Sequence, residues 1–146
     1  MFYCPSNPQW NNDTYWSNTV DSVYGNCVVV GYFHWVGDKN FNSLTWAGGI
    51  QYPAPLPTLP VFAIKTTDQP YYPLLWTDIN RKRNGSWGVP GSDSHGVNHY
   101  NRQGDAPEGA NEGYVDGHVE WVKASKFINA RRMVRVADEY YFWGGR

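Results

Sequence analysis

Cysteine is nearly absent. The chain has only Cys4 and Cys27 in 146 residues, with no Cys-x-x-Cys pair, which removes zinc-ribbon and thioredoxin-like readings. Long apolar runs are missing too: nothing approaches the roughly 20 residues needed to span a bilayer as a helix. The opening Met1-Phe2-Tyr3-Cys4-Pro5 is not a secretory leader, so any export segment is expected to be absent from this chain. Charge of one sign is lacking as well. Twelve Lys and Arg against thirteen Asp and Glu leave a net charge of −1, with no basic stripe of the kind that follows a nucleic-acid backbone. The one local excess, Arg81-Lys82-Arg83, sits among Gly and Asn and reads as a solvated loop. There is no Gly-x-Ser-x-Gly, no His-Glu-x-x-His and no EF-hand spacing, and Gly85 to Gly88 lacks the Lys of a phosphate loop.

Aromatic residues and turn formers are abundant. Eight Trp, eleven Tyr and six Phe make 17% of the chain, alongside 15 Gly and 10 Pro, while Leu and Ile are sparse. Large rings bury much area per residue, and Gly and Pro punctuate the backbone. Together they favour short strands and long connections over a helical bundle. The length suits a single domain over residues 1–146. Cys4 and Cys27 either close one disulfide or act as two buried thiols.

The clearest strand is Cys27 to Val36, β-branched and aromatic on both faces and therefore expected at the centre of a sheet. Prolines at 53, 55, 57 and 60 make a polyproline-like crossover. Val61 to Lys65 fits a short strand or a helical turn, and Tyr71 to Asp78 is a second strand. Residues 79–113 are poor in apolar side chains and read as a long loop. Asp116-Gly117 between strand formers predicts a two-residue hairpin turn. Ala124 to Tyr141 repeats apolar residues at roughly helical spacing, with Ser125 as its cap. The expected fold is α+β and β-dominated: an antiparallel sheet with long loops and one C-terminal helix.

Two segments carry a family resemblance: Phe2-Tyr3-Cys4-Pro5-Ser6 and Asn111-Glu112-Gly113-Tyr114-Val115-Asp116-Gly117-His118-Val119-Glu120-Trp121. A weaker match is Pro73 to Asp78. In these the chain resembles the pseudopilin-like, prepilin-type surface proteins of planctomycetes, lentisphaerae and verrucomicrobia, relatives of the type II secretion pseudopilins. The resemblance implies a pilin-head-like fold and an extracytoplasmic location at the periplasm or cell surface. It also implies a non-catalytic structural or adhesive role, with other pseudopilin-like subunits or surface polysaccharide as partners. The prepilin peptidase site and N-terminal apolar helix of such proteins have no counterpart here, so the chain is expected to be the head domain alone.

Two sets of residues are candidates for chemistry. Asp78, His95, His99, Asp116 and His118 offer oxygen and imidazole ligands from a strand end, a loop and a hairpin, a set suited to calcium or zinc. The alternative is structural, with Asp116 capping its turn and His118 packing beside it. A metal-dependent hydrolase built on His95, His99, Asp116 and His118 is the catalytic version of that reading, although no nucleophile or carboxylate pair is singled out. Trp46 and Trp87 lie in polar surroundings, where such rings either cover the core from the loops or stay exposed and stack on sugars; the second reading makes a carbohydrate-binding module the main alternative.

Overall fold

The computed structural model describes residues 20–21, 25–26, 32–34, 50–65, 67–90, 96–129, 131–135 and 138–145. Cys4, Cys27, Trp46 and His95 lie outside them. Ten strands occur among the described residues. They are β1 (Val20–Asp21), β2 (Gly25–Asn26), β3 (Tyr32–His34), β4 (Ile50–Gln51) and β5 (Leu74–Asp78), then β6 (Arg81–Arg83), β7 (Gly109–Tyr114), β8 (Val119–Lys123), β9 (Arg131–Arg135) and β10 (Asp138–Tyr141). β1 and β2 pair with each other, and the rest form two four-stranded sheets ordered β3-β5-β7-β8 and β4-β9-β10-β6. Every pairing is antiparallel.

The β-dominated, antiparallel expectation holds, and so does the strand ending at Asp78. The C-terminal helix does not. Between Ala124 and Tyr141 lie one 3₁₀ turn, Ala124–Lys126, and then β9 and β10. Ser125 sits inside that turn, whose N-cap position is Lys123 with no side-chain capping bond. Burial follows the strands and not the helical spacing of the apolar residues. Met133 is buried between the less buried Arg132 and Val134, and Tyr140 is buried on β10 beside the less buried Glu139. Ladder partners then decide the outcome: β9 pairs with β4 and β10, and β10 pairs with β6. An uncapped, partnerless helix has no comparable gain.

Two further expectations change. β3 stands at the end of its sheet among the described strands rather than at the centre. Arg81-Lys82-Arg83 is no loop but strand β6, paired with β10. Arg81 and Arg83 lie 3.7 and 3.9 Å from the carboxylate of buried Asp138. The Lys82 ammonium rests 4.7 Å above the Trp87 ring and 5.3 Å from that of Tyr141. The strand turns at Asn84-Gly85, both with positive φ (52° and 78°), and Arg83 and Ser86 exchange backbone hydrogen bonds of 2.9 and 3.1 Å. That is the two-residue hairpin geometry which Asn-Gly favours.

The core lies between the two large sheets, which both contribute to each of two clusters. One gathers Val61, Phe62, Tyr72 and Leu74 with Tyr114, Met133, Tyr140 and Phe142. The other gathers Trp87, Val97, Ala110 and Val122 with Phe127 and Tyr141. Val61 and Phe62 reach the core from irregular backbone, as neither strand nor helix. Tyr72 holds that segment in place by donating its backbone N–H to the Val61 carbonyl at 2.9 Å.

Glu112 sits between the clusters on β7, fully buried. Its carboxylate accepts from the backbone N–H groups of Trp143 (2.7 Å) and Gly144 (2.9 Å) and from the Tyr114 hydroxyl (2.9 Å). It therefore ties the segment after β10 to the middle of the opposite sheet. Burial pushes its pKa up, and these three donors oppose that rise.

Candidate functional site on the outer face of β5, β7 and β8

Side chains alternate along a strand, so β7 presents Ala110, Glu112 and Tyr114 to the core and Gly109, Asn111 and Gly113 to the opposite, outer face. The register continues that face onto its neighbours. Trp76 pairs with Gly113, Val119 pairs with Gly113 from the other side, and Trp121 pairs with Asn111. A β-bulge between Leu74 and Trp76 re-phases β5, so that Leu74 points inward while Trp76 and Asp78 point outward.

The two glycines have a steric reason. A Cβ at Gly109 would strike the Trp121 ring, and one at Gly113 would strike the Trp76 ring. The indoles thus lie across the strand at positions four residues apart, about 14 Å at ~3.4 Å per residue. Trp121 is 43% exposed and Val119 59%, while Trp76 is half-buried.

Asp78 lies on this face but is fully buried, because the loop after Gly96 crosses over it. Asn98 anchors that loop by donating its backbone N–H to the Ile79 carbonyl at 3.1 Å. The Asp78 carboxylate accepts from the Asn98 side-chain amide (2.8 Å), the Asn111 backbone N–H (2.6 Å) and the Asn111 side-chain amide (2.9 Å). His99 Nε2 stands 3.1 Å from the same carboxylate, and its ring meets Trp121 edge-on at 5.0 Å. One buried anion therefore fixes an amide, an imidazole and, through the imidazole, an indole.

Of the residues singled out from sequence, Asp78 and His99 come together here. Asp116 and His118 form a different pair at the exposed tip of the β7–β8 hairpin, 2.5 Å apart, with His118 stacked on Tyr114 at 4.3 Å. The His118 backbone N–H also bonds Asp116, and these contacts, led by the backbone bond, lower the Asp116 pKa. The hairpin is closed by a three-residue loop rather than the expected two-residue turn. Tyr114 donates its N–H to the His118 carbonyl, and only Gly117 takes a positive φ, 91°. Asp116 serves as the turn's side-chain acceptor, and glycine fills its left-handed position. Among the described residues no three His, Cys, Asp or Glu side chains are grouped as metal ligands. Trp87 is buried, not exposed: it packs on Tyr141 at 4.9 Å and its carbonyl accepts from the Tyr100 hydroxyl at 2.7 Å.

Trp76, Asn111 and Trp121 were not singled out by sequence reading. The available signal was the pairing of two glycines in a strand with tryptophans in its neighbours, since glycine inside a strand often marks a close approach. No family model, curated protein or solved structure matches the chain.

Proposed function

We propose that this chain is a non-catalytic, adhesive head domain of an extracytoplasmic assembly, and that it holds surface polysaccharide on the outer face of β5, β7 and β8. The observation that carries the reading is the pair of indoles laid across Gly109 and Gly113 of one strand. A flat, partly wet aromatic ring offers its face to the C–H groups of a pyranose. Rings about 14 Å apart along a strand suit an extended chain of sugars better than one small molecule. Asn111 and His99, held by Asp78 between and beside those rings, supply the hydrogen-bonding edge that hydroxyl groups need.

The resemblance to pseudopilin-like surface proteins supports the same placement, with like subunits as assembly partners. In this reading the Asp78–His99 pair is a positioning device and takes no part in bond cleavage. The test is co-sedimentation of the purified chain with insoluble and gel-forming polysaccharides. Binding is expected for the wild type and lost in Trp121→Ala. Binding to no polysaccharide of the panel, or binding unaffected by Trp121→Ala, contradicts the proposal.

A further inference from the structure

We propose that the cleft between the proline-rich crossover and β9 is a second binding site, one that takes a carboxylated sugar unit, a uronate, with its carboxylate on Arg132. The cleft holds about 550 Å³ and is lined by Pro53, Pro55, Tyr71, Tyr72, Asn129 and Arg132 among others. That volume lies in the range of small-molecule sites, roughly 300–1,000 Å³, and fits one or two sugar rings. None of these residues belongs to the Trp76–Trp121 face, so the inference goes beyond the polysaccharide reading above and stands or falls on its own.

The chemistry of the walls selects the ligand. Tyr71 and Tyr72 meet edge to face at 4.9 Å, so together they form an aromatic corner, and the proline rings opposite add apolar surface. Such walls suit the C–H faces of a pyranose. Arg132 brings the cation. Its side chain is held by the Phe142 carbonyl (Nε, 3.0 Å) and the Trp143 carbonyl (3.3 Å), with the guanidinium 5.8 Å from the Tyr72 ring centre. Anchored to carbonyls and beside a ring, it is an oriented planar charge, and guanidinium matches carboxylate geometry better than an ammonium does. Exposed Asn129 supplies an amide at the rim.

A peptide fits less well. β9 lies between β4 and β10, and the crossover flanking the cleft contributes Pro53 and Pro55, which have no N–H to pair with an added strand. The combination of aromatic corner, fixed cation and rim amide therefore points to an acidic sugar.

The experiment is isothermal titration of the full chain with trigalacturonate and with a neutral trisaccharide of the same ring size, at low and at high salt. Trigalacturonate is expected to bind one-to-one. The neutral sugar is expected to bind at least about tenfold more weakly, and salt is expected to reduce the acidic sugar's affinity by a similar factor. Arg132→Gln is expected to abolish the preference for the acidic sugar. Because that change also removes bonds to the Phe142 and Trp143 carbonyls, Asn129→Ala, at an exposed residue, serves as the second variant, expected to weaken binding about fivefold to tenfold with the melt near wild type. Trp121→Ala is expected to leave trigalacturonate binding intact. Equal binding of the two sugars, no binding of trigalacturonate, or tighter binding of an acidic proline-rich peptide overturns the proposal. Loss of trigalacturonate binding in Trp121→Ala, with the cleft variants unaffected, assigns the acidic sugar to the outer face and overturns the cleft alone.

Discussion

The two sides of β7 carry one buried carboxylate each, and they are used in opposite ways. On the inner side Glu112 is enclosed between two aromatic clusters and bonds the backbone of the segment after β10. On the outer side Asp78, from the neighbouring strand, bonds Asn98 and Asn111 and stands against His99, residues that border a wet aromatic surface. Both anions are fully buried, so burial alone does not distinguish structure from function. The distinction lies in what each anion positions: Glu112 holds backbone, and Asp78 holds side chains at a surface.

The comparison breaks most visibly at Glu112. Glu112→Ala orphans two backbone N–H groups and the Tyr114 hydroxyl and leaves a void between the clusters. It is expected to cost about 4 kcal/mol in urea denaturation, with carbohydrate binding unchanged in the protein that remains folded. Asp78→Asn keeps the volume but removes an anion that accepts three hydrogen bonds. A loss of about 2 kcal/mol is expected, together with weaker polysaccharide binding, because Asn111 and His99 lose their anchor. If Asp78→Asn destabilises while binding is unchanged, the two carboxylates are equivalent and the contrast is lost. The hairpin that joins β7 to β8 is a milder test. Gly117→Ala forces a side chain into φ 91° and is expected to cost about 1 kcal/mol by the same denaturation.

A pH profile sharpens the comparison with a smaller effect. Burial raises the Glu112 pKa above its ordinary 4.5. A group raised in the fold contributes stability that is full below its unfolded value and is lost as pH rises through its folded value. Asp116 and Asp68 have the opposite sign. Backbone N–H bonds, from His118 and from Ile64 respectively, lower them below 3.8, so their contribution is present above 3.8 and fades as pH falls through the lowered values. Stability is therefore expected to rise from neutral pH towards about 4.5 and to fall below about 3.8. In Glu112→Gln the first rise is expected to vanish and the acid fall to persist. A rise that survives Glu112→Gln assigns it to another group.

Much of this architecture can be read from residue patterns, and the limits have physical causes. Leu74 to Asp78 and the Asp116-Gly117 hairpin are legible because strand formers and turn residues act locally. The Asn84-Gly85 turn was equally local, but the basic residues before it suggest a solvated loop. The partners that make β6 a strand, Asp138 and the rings of Trp87 and Tyr141, lie close in space but not all close in sequence. The segment from Ala124 to Tyr141 misleads because its apolar spacing matches a helix, while pairing of β9 with β4 and of β10 with β6, partners distant in sequence, makes it two strands. At the site, the Asp78 and His99 side chains are recognisable as candidates, whereas their convergence with Asn111 depends on a β-bulge and a crossing loop that no spacing rule reveals. The polar neighbours of Trp87 leave both an exposed ring and a ring that covers the core open; the Lys82 ammonium and the Tyr141 ring packed on it decide for the second.

The central claim concerns one face of one sheet, and affinity electrophoresis through polysaccharide-containing gels tests it directly with three proteins: wild type, Trp121→Ala and Trp87→Ala. The account predicts that the wild type is retarded and that Trp121→Ala runs unretarded with a melt close to wild type. Trp87→Ala is predicted to lose about 3 kcal/mol of stability yet remain retarded where folded. Retardation of Trp121→Ala equal to that of the wild type would contradict the account.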